Sequence, residues 1–343
     1  MLDRGVQLKN KQSVEETMTT RQHWLSIAAL CVLTLPVALV TYAHAGDYPD
    51  KPVSFISDSA AGSSPDVAAR FVAEGLGKIW GQQAVVINHP GANGSIAAHA
   101  ATDAPADGYT LFTPALSTFV ALPTVAPNLP VKLPRDFLPI GFIAQQPMFI
   151  AVDPALGITT LPQLIDRAKK EPGKISIALS GIGRMTHLTG ELLQERANIK
   201  LLSVPYTHGP ASALGDVAAG RVSMIIEGYS GIIGAVNAGQ VKLIAVASPE
   251  RLPEFPDLPT VAETIPGFAA AGWLVLVAPV GTPAPVISKV SADLNKVLND
   301  ADIKKRLATT GSYARAMTPD QVLAFVAKQQ ETWLPVLQRV TTQ

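Results

Sequence analysis

The stretch S-G-I-G-R-M-T-H-L at residues 180–188 decides the fold, because a strand pattern ends and a helix pattern begins there. The apolar run I-S-I-A-L at 175–179 stops abruptly at the glycines, as a buried strand does. Leucines then recur at helical spacing over residues 186–197. A glycine-rich turn of this kind leaves backbone N–H groups unpaired at a helix N-terminus. The stretch therefore predicts an anion-binding turn.

Arg184 lies inside this turn. The helix dipole disfavours a cation at that end of a helix unless an anion offsets it. We therefore interpret the turn as one half of a ligand clamp and expect the rest of the chain to supply the other half.

The same order of strand, polar glycine-containing turn and helix recurs along the chain. Other turns of this type are D-S-A-A-G-S-S-P-D at 58–66, H-P-G-A-N-G-S at 89–95 and P-Y-T-H-G-P at 205–210. This alternation predicts an α/β fold with a largely parallel sheet. Ligands of such sheets bind at the carboxyl ends of the strands, where these turns lie.

Two helices carry specific expectations. Pro65 suits the first position of a helix that ends near Trp80, and Val67, Phe71 and Leu76 are predicted to form its buried stripe. Pro335 is predicted to kink or end the last helix.

Length and composition indicate a globular protein. A chain of 343 residues that is 48% hydrophobic should form about two domains. Charged residues make up only 16%, and 27 basic residues balance 27 acidic ones, so no bulk charge favours nucleic acid or anionic lipid.

The N-terminus has the pattern of a targeting segment. Arg21 precedes an apolar run at 24–40, and A-H-A at 43–45 matches the small-x-small cleavage pattern, so residues 1–45 are predicted to be a signal peptide cleaved after Ala45. The alternative is a retained membrane anchor. Met18 is a possible true start, since the residues before it are unlike a signal peptide. The single cysteine, Cys31, lies inside this segment, so the mature chain would have no thiol.

Catalytic, metal-binding and dinucleotide-binding motifs are missing from the sequence. His89, His99, His187 and His208 show no metal-ligand spacing, and neither G-x-S-x-G nor a complete dinucleotide fingerprint occurs. We predict no enzyme activity, no cofactor and no metal. The rival interpretation is a periplasmic enzyme with His187 or His208 as a base beside Ser180.

Many short motifs in order resemble one family. They are Y-P-D-K-P-V at 48, G-x-x-x-D at 62, G-Q-x-x-V-V-I-N-x-P-G-A-N-G at 81, D-G-Y-T-L at 107, S-G-I-G-x-x-T-H-L at 180, V-P-Y at 204, P-D-L-P-T-V-A-E at 256 and W-L-V-L-V-A-P-V-G-T-P at 273. The chain resembles the Bug-type (tripartite tricarboxylate transporter) periplasmic substrate-binding receptors over nearly all of residues 48–340. The resemblance implies a periplasmic receptor that closes on a small carboxylate and hands it to a membrane permease. We also expect a monomer. A sensory receptor that docks a signalling partner is a further alternative.

The resemblance also implies a two-lobed periplasmic-binding-protein (Venus flytrap, type II) fold with two crossover hinges. On this sequence lobe 1 would comprise residues 46–146 and 269–343, and lobe 2 residues 147–268. Hinge motion is expected near 143–152 and 269–277.

Ligand-binding residues are expected in turns from both lobes and at two further strand ends. They are Asp58, Ser59, Ala60, Gly62, Ser63, Asp66, Ala92, Asn93, Ser95, Ser117, Ser180, Gly181, Gly183, Arg184, His187, Tyr206, Thr207 and Glu227.

Two positions depart from the family pattern. The first turn usually reads P-F-A-P-G-G, whereas here it is D-S-A-A-G-S, and Arg184 replaces the usual Ser or Thr. One interpretation places Asp58 and Arg184 on solvated loop tips. In the other interpretation, Arg184 binds a second ligand carboxylate through two hydrogen bonds, while Asp58 faces a ligand amine or pairs with Arg184. The second interpretation suggests a ligand with one carboxylate plus another polar group.

Overall fold

The structure is a computed structural model that describes residues 48–126, 129, 131–206 and 209–341. The predicted signal peptide and its cleavage site lie outside the described residues, as do Thr207 and His208.

Strands and helices alternate along the described chain. The strands are β1 (Val53–Ser57), β2 (Ala84–Asn88), β3 (Thr110–Thr113), β4 (Phe137–Val152), β5 (Ser176–Leu179), β6 (Leu202–Pro205), β7 (Met224–Gly228), β8 (Lys242–Val246), β9 (Ala271–Pro279) and β10 (Tyr313–Ala314). The helices are α1 (Ser64–Trp80), α2 (Ser95–Thr102), α3 (Leu116–Val120), α4 (Leu122–Val125), α5 (Leu161–Lys170), α6 (Met185–Ala197), α7 (Pro210–Ala218), α8 (Tyr229–Asn237), α9 (Ala284–Asn299), α10 (Ala301–Thr309) and α11 (Pro319–Thr341).

The strands form two sheets that share β4. In the first sheet the order is β2-β1-β3-β9-β4, with β10 also on β4, and β1 runs parallel to both β2 and β3. In the second sheet the order is β4-β7-β5-β6, β8 also pairs with β4, and β5 runs parallel to β6 and β7. Each sheet with its helices is one lobe, which confirms the two-lobed α/β fold. The central strand β4 runs antiparallel to β7, β8, β9 and β10, so the expectation of a largely parallel sheet is wrong there.

Strand β4 passes from one sheet to the other within a few residues. Pro147 pairs with Ala271 of β9 in the first sheet, and the next residue, Met148, pairs with Gly228 of β7 in the second. A second connection lies alongside, since the Ala270 N–H donates to the Ala247 carbonyl. The strand is apolar and buried nearly throughout, as a strand covered on both faces must be.

Helix α1 buries a different stripe from the predicted one. Ala68, Ala69 and Val72 are fully buried, whereas Val67 and Phe71 are half-buried. The alanines allow the helix to approach the sheet closely, and the Arg306 guanidinium covers the Phe71 ring at 4.4 Å. The predicted stripe is therefore wrong at two of its three positions.

The last helix continues through its proline. Helix α11 extends to Thr341 with Pro335 inside it, so the expectation that Pro335 ends the helix is wrong. Trp333, Val336 and Leu337 are buried on either side of it. This burial against α3 and α6 outweighs the one backbone hydrogen bond that a proline removes.

Candidate functional site

A cavity of about 370 Å³ lies between the lobes. The first lobe contributes the turns after β1, β2 and β3, and the second lobe contributes the turns after β5 and β6 and the end of β7. The carboxyl ends of these strands therefore face one shared cleft, as the strand–turn–helix pattern predicts.

The structure brings ten of the eighteen predicted site residues to the wall of this cavity. They are Ser59, Ala60, Ser63, Ala92, Asn93, Ser117, Ser180, Gly181, Arg184 and Glu227.

Helix N-termini from both lobes point at the same space. Helix α1 begins at Ser64, α6 at Met185 and α7 at Pro210, and each of these residues lines the cavity. First-turn N–H groups have no partner within their own helix, and the helix dipole makes this end partly positive. The arrangement suits an anion that touches both lobes.

The turn at 180–188 is more internally bonded than the sequence suggests. The Ser180 N–H donates to Thr186 Oγ1 at 3.0 Å, the Gly183 N–H to His187 Nδ1 at 3.1 Å, and the Arg184 N–H to the Gly181 carbonyl at 3.2 Å. The expectation that the N–H groups of this turn are unpaired is therefore wrong for these three. Side chains that follow the glycines accept two of the bonds, which glycine spacing alone does not reveal.

Arg184 reaches from the second lobe to the first. Its Nη2 donates to the main-chain oxygen of Asp58 at 2.7 Å, its Nη1 donates to Ser117 Oγ at 3.2 Å, and Nη1 lies 4.0 Å from Asp58 Oδ2. The Arg184 side chain is 18% exposed and the Asp58 side chain is fully buried. Arg184 is thus part of the cleft wall with Asp58 buried behind it, and neither is solvated on a loop tip.

The Asp58 carboxylate is held by its own lobe. It accepts hydrogen bonds from the Ala115 N–H, from Thr118 Oγ1 at 2.6 Å and from Ser59 Oγ at 2.9 Å. Asp58 lies behind the cavity wall, where it faces Arg184. Of the two roles considered for it, this position favours pairing with Arg184 over contact with a ligand amine.

Asp66 and Gly62 shape the first turn from behind. The buried Asp66 carboxylate accepts from the Gly62 N–H at 2.9 Å, from Arg70 Nε at 3.0 Å and from Asn88 Nδ2 at 2.8 Å. Neither residue lines the cavity, so the structure places both in support of the turn.

Four other predicted site residues also lie outside the wall. Ser95 begins α2, and Gly183 abuts Ala121 of the opposite lobe. Burial lowers the pKa of His187, whose Nδ1 accepts the Gly183 N–H. The Tyr206 hydroxyl donates to Asp216. Thr207 lies outside the described residues.

Glu227 is the acidic group of the cavity wall. It stands near the end of β7, is 7% exposed, and its Oε1 accepts the Gly228 N–H at 2.9 Å. Burial raises the pKa of this carboxyl from its usual 4.5 to about 7, although the Gly228 N–H and the Arg184 charge act in the opposite direction. Near neutral pH the carboxyl therefore exchanges between its charged and neutral forms.

Sequence reasoning missed several wall residues. Gln146 and Met148 come from β4, and Trp273 comes from β9. Gln146 is 1% exposed and its amide donates to Ser312 Oγ at 3.0 Å. Two adjacent glutamines inside an otherwise apolar run, Gln145 and Gln146, were the available signal. The sequence around Trp273 carries no such signal, because a buried tryptophan in a strand also fits an ordinary hydrophobic core.

No three His, Cys, Asp or Glu side chains of the described residues group as metal ligands. Among the helices of residues 48–341 that the structure describes, none has the length and hydropathy needed to cross a membrane.

Known proteins resemble this chain over most of its length. The model of the tripartite tricarboxylate transporter family receptors matches residues 68–341. Protein BugT of Bordetella pertussis is 30% identical over 313 residues, which cover 91% of this chain and 96% of BugT.

Solved structures also resemble this chain over most of its length. The periplasmic binding protein BugD is 32% identical with a TM-score of 0.78, and the alignment covers 85% of this chain and 98% of BugD. The R. palustris protein Rpa4515, solved with adipate, is 28% identical with a TM-score of 0.81, over 85% of this chain and 97% of that protein. The chain belongs to the tripartite tricarboxylate transporter receptor family, the Bug-type proteins whose motifs its sequence carries.

Proposed function

We propose that this protein is a periplasmic receptor that captures a small organic carboxylate in the cavity between its lobes and delivers it to a tripartite-type membrane transporter. The observation that carries the proposal is the convergence of the N-termini of α1, α6 and α7 on one interlobe cavity. The adipate bound to Rpa4515 supports a carboxylate as the ligand class.

Affinity must come from several contributions together. An anion gains ~0.3–2 kcal/mol at each helix N-terminus. A dissociation constant of about 1 μM requires about 8 kcal/mol. Three termini do not reach that value, so closure of the lobes around the ligand supplies the remainder. Closure is a hinge motion of the two connections, near 143–152 and 269–277, between lobe 1 (46–146 and 269–343) and lobe 2 (147–268).

We further propose that the ligand leaves chemically unchanged. The Ser180 hydroxyl pairs with Thr186 Oγ1 at 2.7 Å, and the His187 Nδ1 is occupied by the Gly183 N–H. A nucleophile needs a base within hydrogen-bond reach. This pairing argues against the alternative in which His187 activates Ser180. Incubation with candidate esters and amides, followed by mass spectrometry, tests for turnover.

Export and oligomeric state complete the proposal. We propose that residues 1–45 are a signal peptide removed after Ala45 and that the mature receptor is a monomer. Edman sequencing of the exported protein and light scattering during size exclusion test these two statements separately.

A thermal-shift screen tests the carboxylate specificity. The panel comprises monocarboxylates, dicarboxylates, tricarboxylates, amino acids and aromatic acids. A ligand present at 100 times its dissociation constant stabilises the folded state by about 2.7 kcal/mol, which moves the midpoint by several degrees. We expect such a shift for at least one carboxylate. A flat response across the whole panel would contradict the proposal.

A further inference from the structure

Glu227 has an unusual position for an acidic side chain. It lies in the wall of the cavity, 7% exposed, next to the N-terminus of α8. Its Oε1 accepts the Gly228 N–H, and the position of Gly231 is so close that an added Cβ would lie 3.0 Å from the Glu227 Cγ. Among the described residues, none forms a salt bridge with Glu227, although the Arg184 charge acts on it from a longer distance. A buried carboxylate without a cationic partner is costly, so a cation is expected to come from elsewhere.

The other charged residue of the described wall is already engaged. Arg184 donates to the Asp58 carbonyl and to Ser117 Oγ, and the buried Asp58 carboxylate stands 4.0 Å from its guanidinium. The charges of Arg184 and Asp58 therefore largely offset each other. Phe149 of β4 pairs with Glu227, and Pro210 of α7 and Ser64 of α1 line the same cavity. Among the described residues that line the cavity, Arg184 and Glu227 are the charged ones.

We propose that Glu227 binds a protonated amine of the ligand, so that the ligand is an amino-carboxylate whose carboxylate is held by the helix N-termini. The inference rests on the proposed function and narrows its ligand class. A zwitterion matches this cavity because its negative end meets partly positive helix termini while its positive end meets the acid. A dicarboxylate would bring a second negative charge towards Glu227.

The protonation behaviour of Glu227 supports the same assignment and makes it testable. Burial raises the pKa of Glu227 to about 7. An ammonium group favours the ionised carboxyl. Affinity for an amino-carboxylate should therefore rise about tenfold per pH unit below 7 and level off above it. Affinity for a dicarboxylate should change in the opposite direction.

Isothermal titration calorimetry at pH 5.5, 7.0 and 8.5 tests the inference. The probes are 4-aminobutyrate, 5-aminopentanoate and 6-aminohexanoate, dicarboxylates of matched length (succinate, glutarate and adipate), and a set of α-amino acids. The ω-amino acids keep a constant charge over this range, because their amine has a pKa of about 10.4 and their carboxyl one of about 4.3. We expect at least one amino-carboxylate to bind more tightly than every dicarboxylate at pH 8.5, and its affinity to fall about 30-fold at pH 5.5.

Two matched variants assign the effect to Glu227. Glu227→Gln keeps the shape of the side chain and should lower amino-carboxylate affinity about 10- to 100-fold at pH 8.5, with the pH dependence lost. Glu191→Gln is the control, because burial also raises the pKa of Glu191 but its carboxylate faces His187 outside the cavity wall. It should change neither the affinity nor its pH profile.

The outcomes separate this inference from the function on which it rests. If a dicarboxylate binds most tightly, with affinity that rises as the pH falls, Glu227 is a neutral hydrogen-bond donor. The amine assignment is then overturned while the carboxylate receptor stands. If no carboxylate or amino-carboxylate binds, both are overturned. Should Glu227→Gln fail to fold, the pH profile of the unmodified protein alone decides between the first two outcomes.

Discussion

The guanidinium of Arg184 is hydrogen-bonded to the main-chain oxygen of Asp58, 126 residues earlier in the chain, at 2.7 Å across the interlobe cleft. The same guanidinium donates to Ser117 Oγ. One side chain of the second lobe thus holds two turns of the first, and these contacts exist only when the lobes meet.

Replacing Arg184 with alanine should weaken binding. A hydrogen bond from a charged donor contributes ~1.5–3 kcal/mol, and the loss of this one would destabilise the closed form of the protein. We expect Arg184→Ala to lower the affinity for the best ligand of the screen about 10- to 100-fold, as measured by calorimetry. Arg167→Ala is the control, since Arg167 pairs with Glu171 on the exposed surface of α5. Equal affinities for both variants would show that Arg184 does not stabilise the closed form.

Gly228 offers a way to block closure without damage to either lobe. An added Cβ would stand 2.3 Å from Ser64 Oγ and 2.7 Å from Ser64 Cβ on the opposite lobe, while its φ of −66° suits any residue. We expect Gly228→Ala to fold normally and to lose at least tenfold in affinity. Small-angle scattering should show that ligand no longer decreases its radius of gyration.

Gly234, in the helix α8 that follows Gly228, supplies the matched control. An added Cβ there meets nothing within 4 Å, and alanine is favoured over glycine by ~0.5–1 kcal/mol inside a helix. Gly234→Ala should bind and compact as the unmodified protein does. If Gly228→Ala does the same, the contact between Gly228 and Ser64 is not part of the closed state.

Asp58 should matter for folding as well as for binding. Its buried carboxylate accepts hydrogen bonds from Ala115, Thr118 and Ser59. In Asp58→Asn one carboxylate oxygen becomes an NH₂ group, which is a donor and would face these donors without an acceptor. A buried unsatisfied donor costs ~1–3 kcal/mol. Urea unfolding without ligand should show a loss of that size. Asp302→Asn, on the exposed face of α10, should stay within about 0.5 kcal/mol.

Glu227 should make the ligand-free protein less stable as the pH rises. Its folded pKa is about 7 against a usual 4.5, so unfolding releases a proton between these values and stability falls over this window. The shift corresponds to about 3 kcal/mol at most. Glu227→Gln should therefore be more stable than the unmodified protein at pH 8 and similar to it at pH 4. Urea unfolding at both values measures the difference, and a variant that is less stable at pH 8 would contradict it.

Local patterns predicted the elements that carry the site. The predicted helix from Pro65 to Trp80 is found as Ser64–Trp80, because caps and apolar runs act within a few residues. The buried stripe of α1 was misjudged at Val67 and Phe71, since the shape of the sheet beneath decides which face fits.

Contacts between distant segments could not be obtained in this way. The sequence left two roles open for Asp58, and only the position of Thr118, Ala115 and Arg184 around it favours one of them. Gln146 belongs to the cavity because β4 crosses between the sheets at that point, which the apolar run alone does not specify.

A crystal structure with the best ligand of the screen tests the central claim most directly. We predict an intact carboxylate between the lobes, within hydrogen-bond distance of first-turn N–H groups of α1, α6 or α7. A ligand bound on another surface, or a chemically altered ligand in the cleft, would contradict the account.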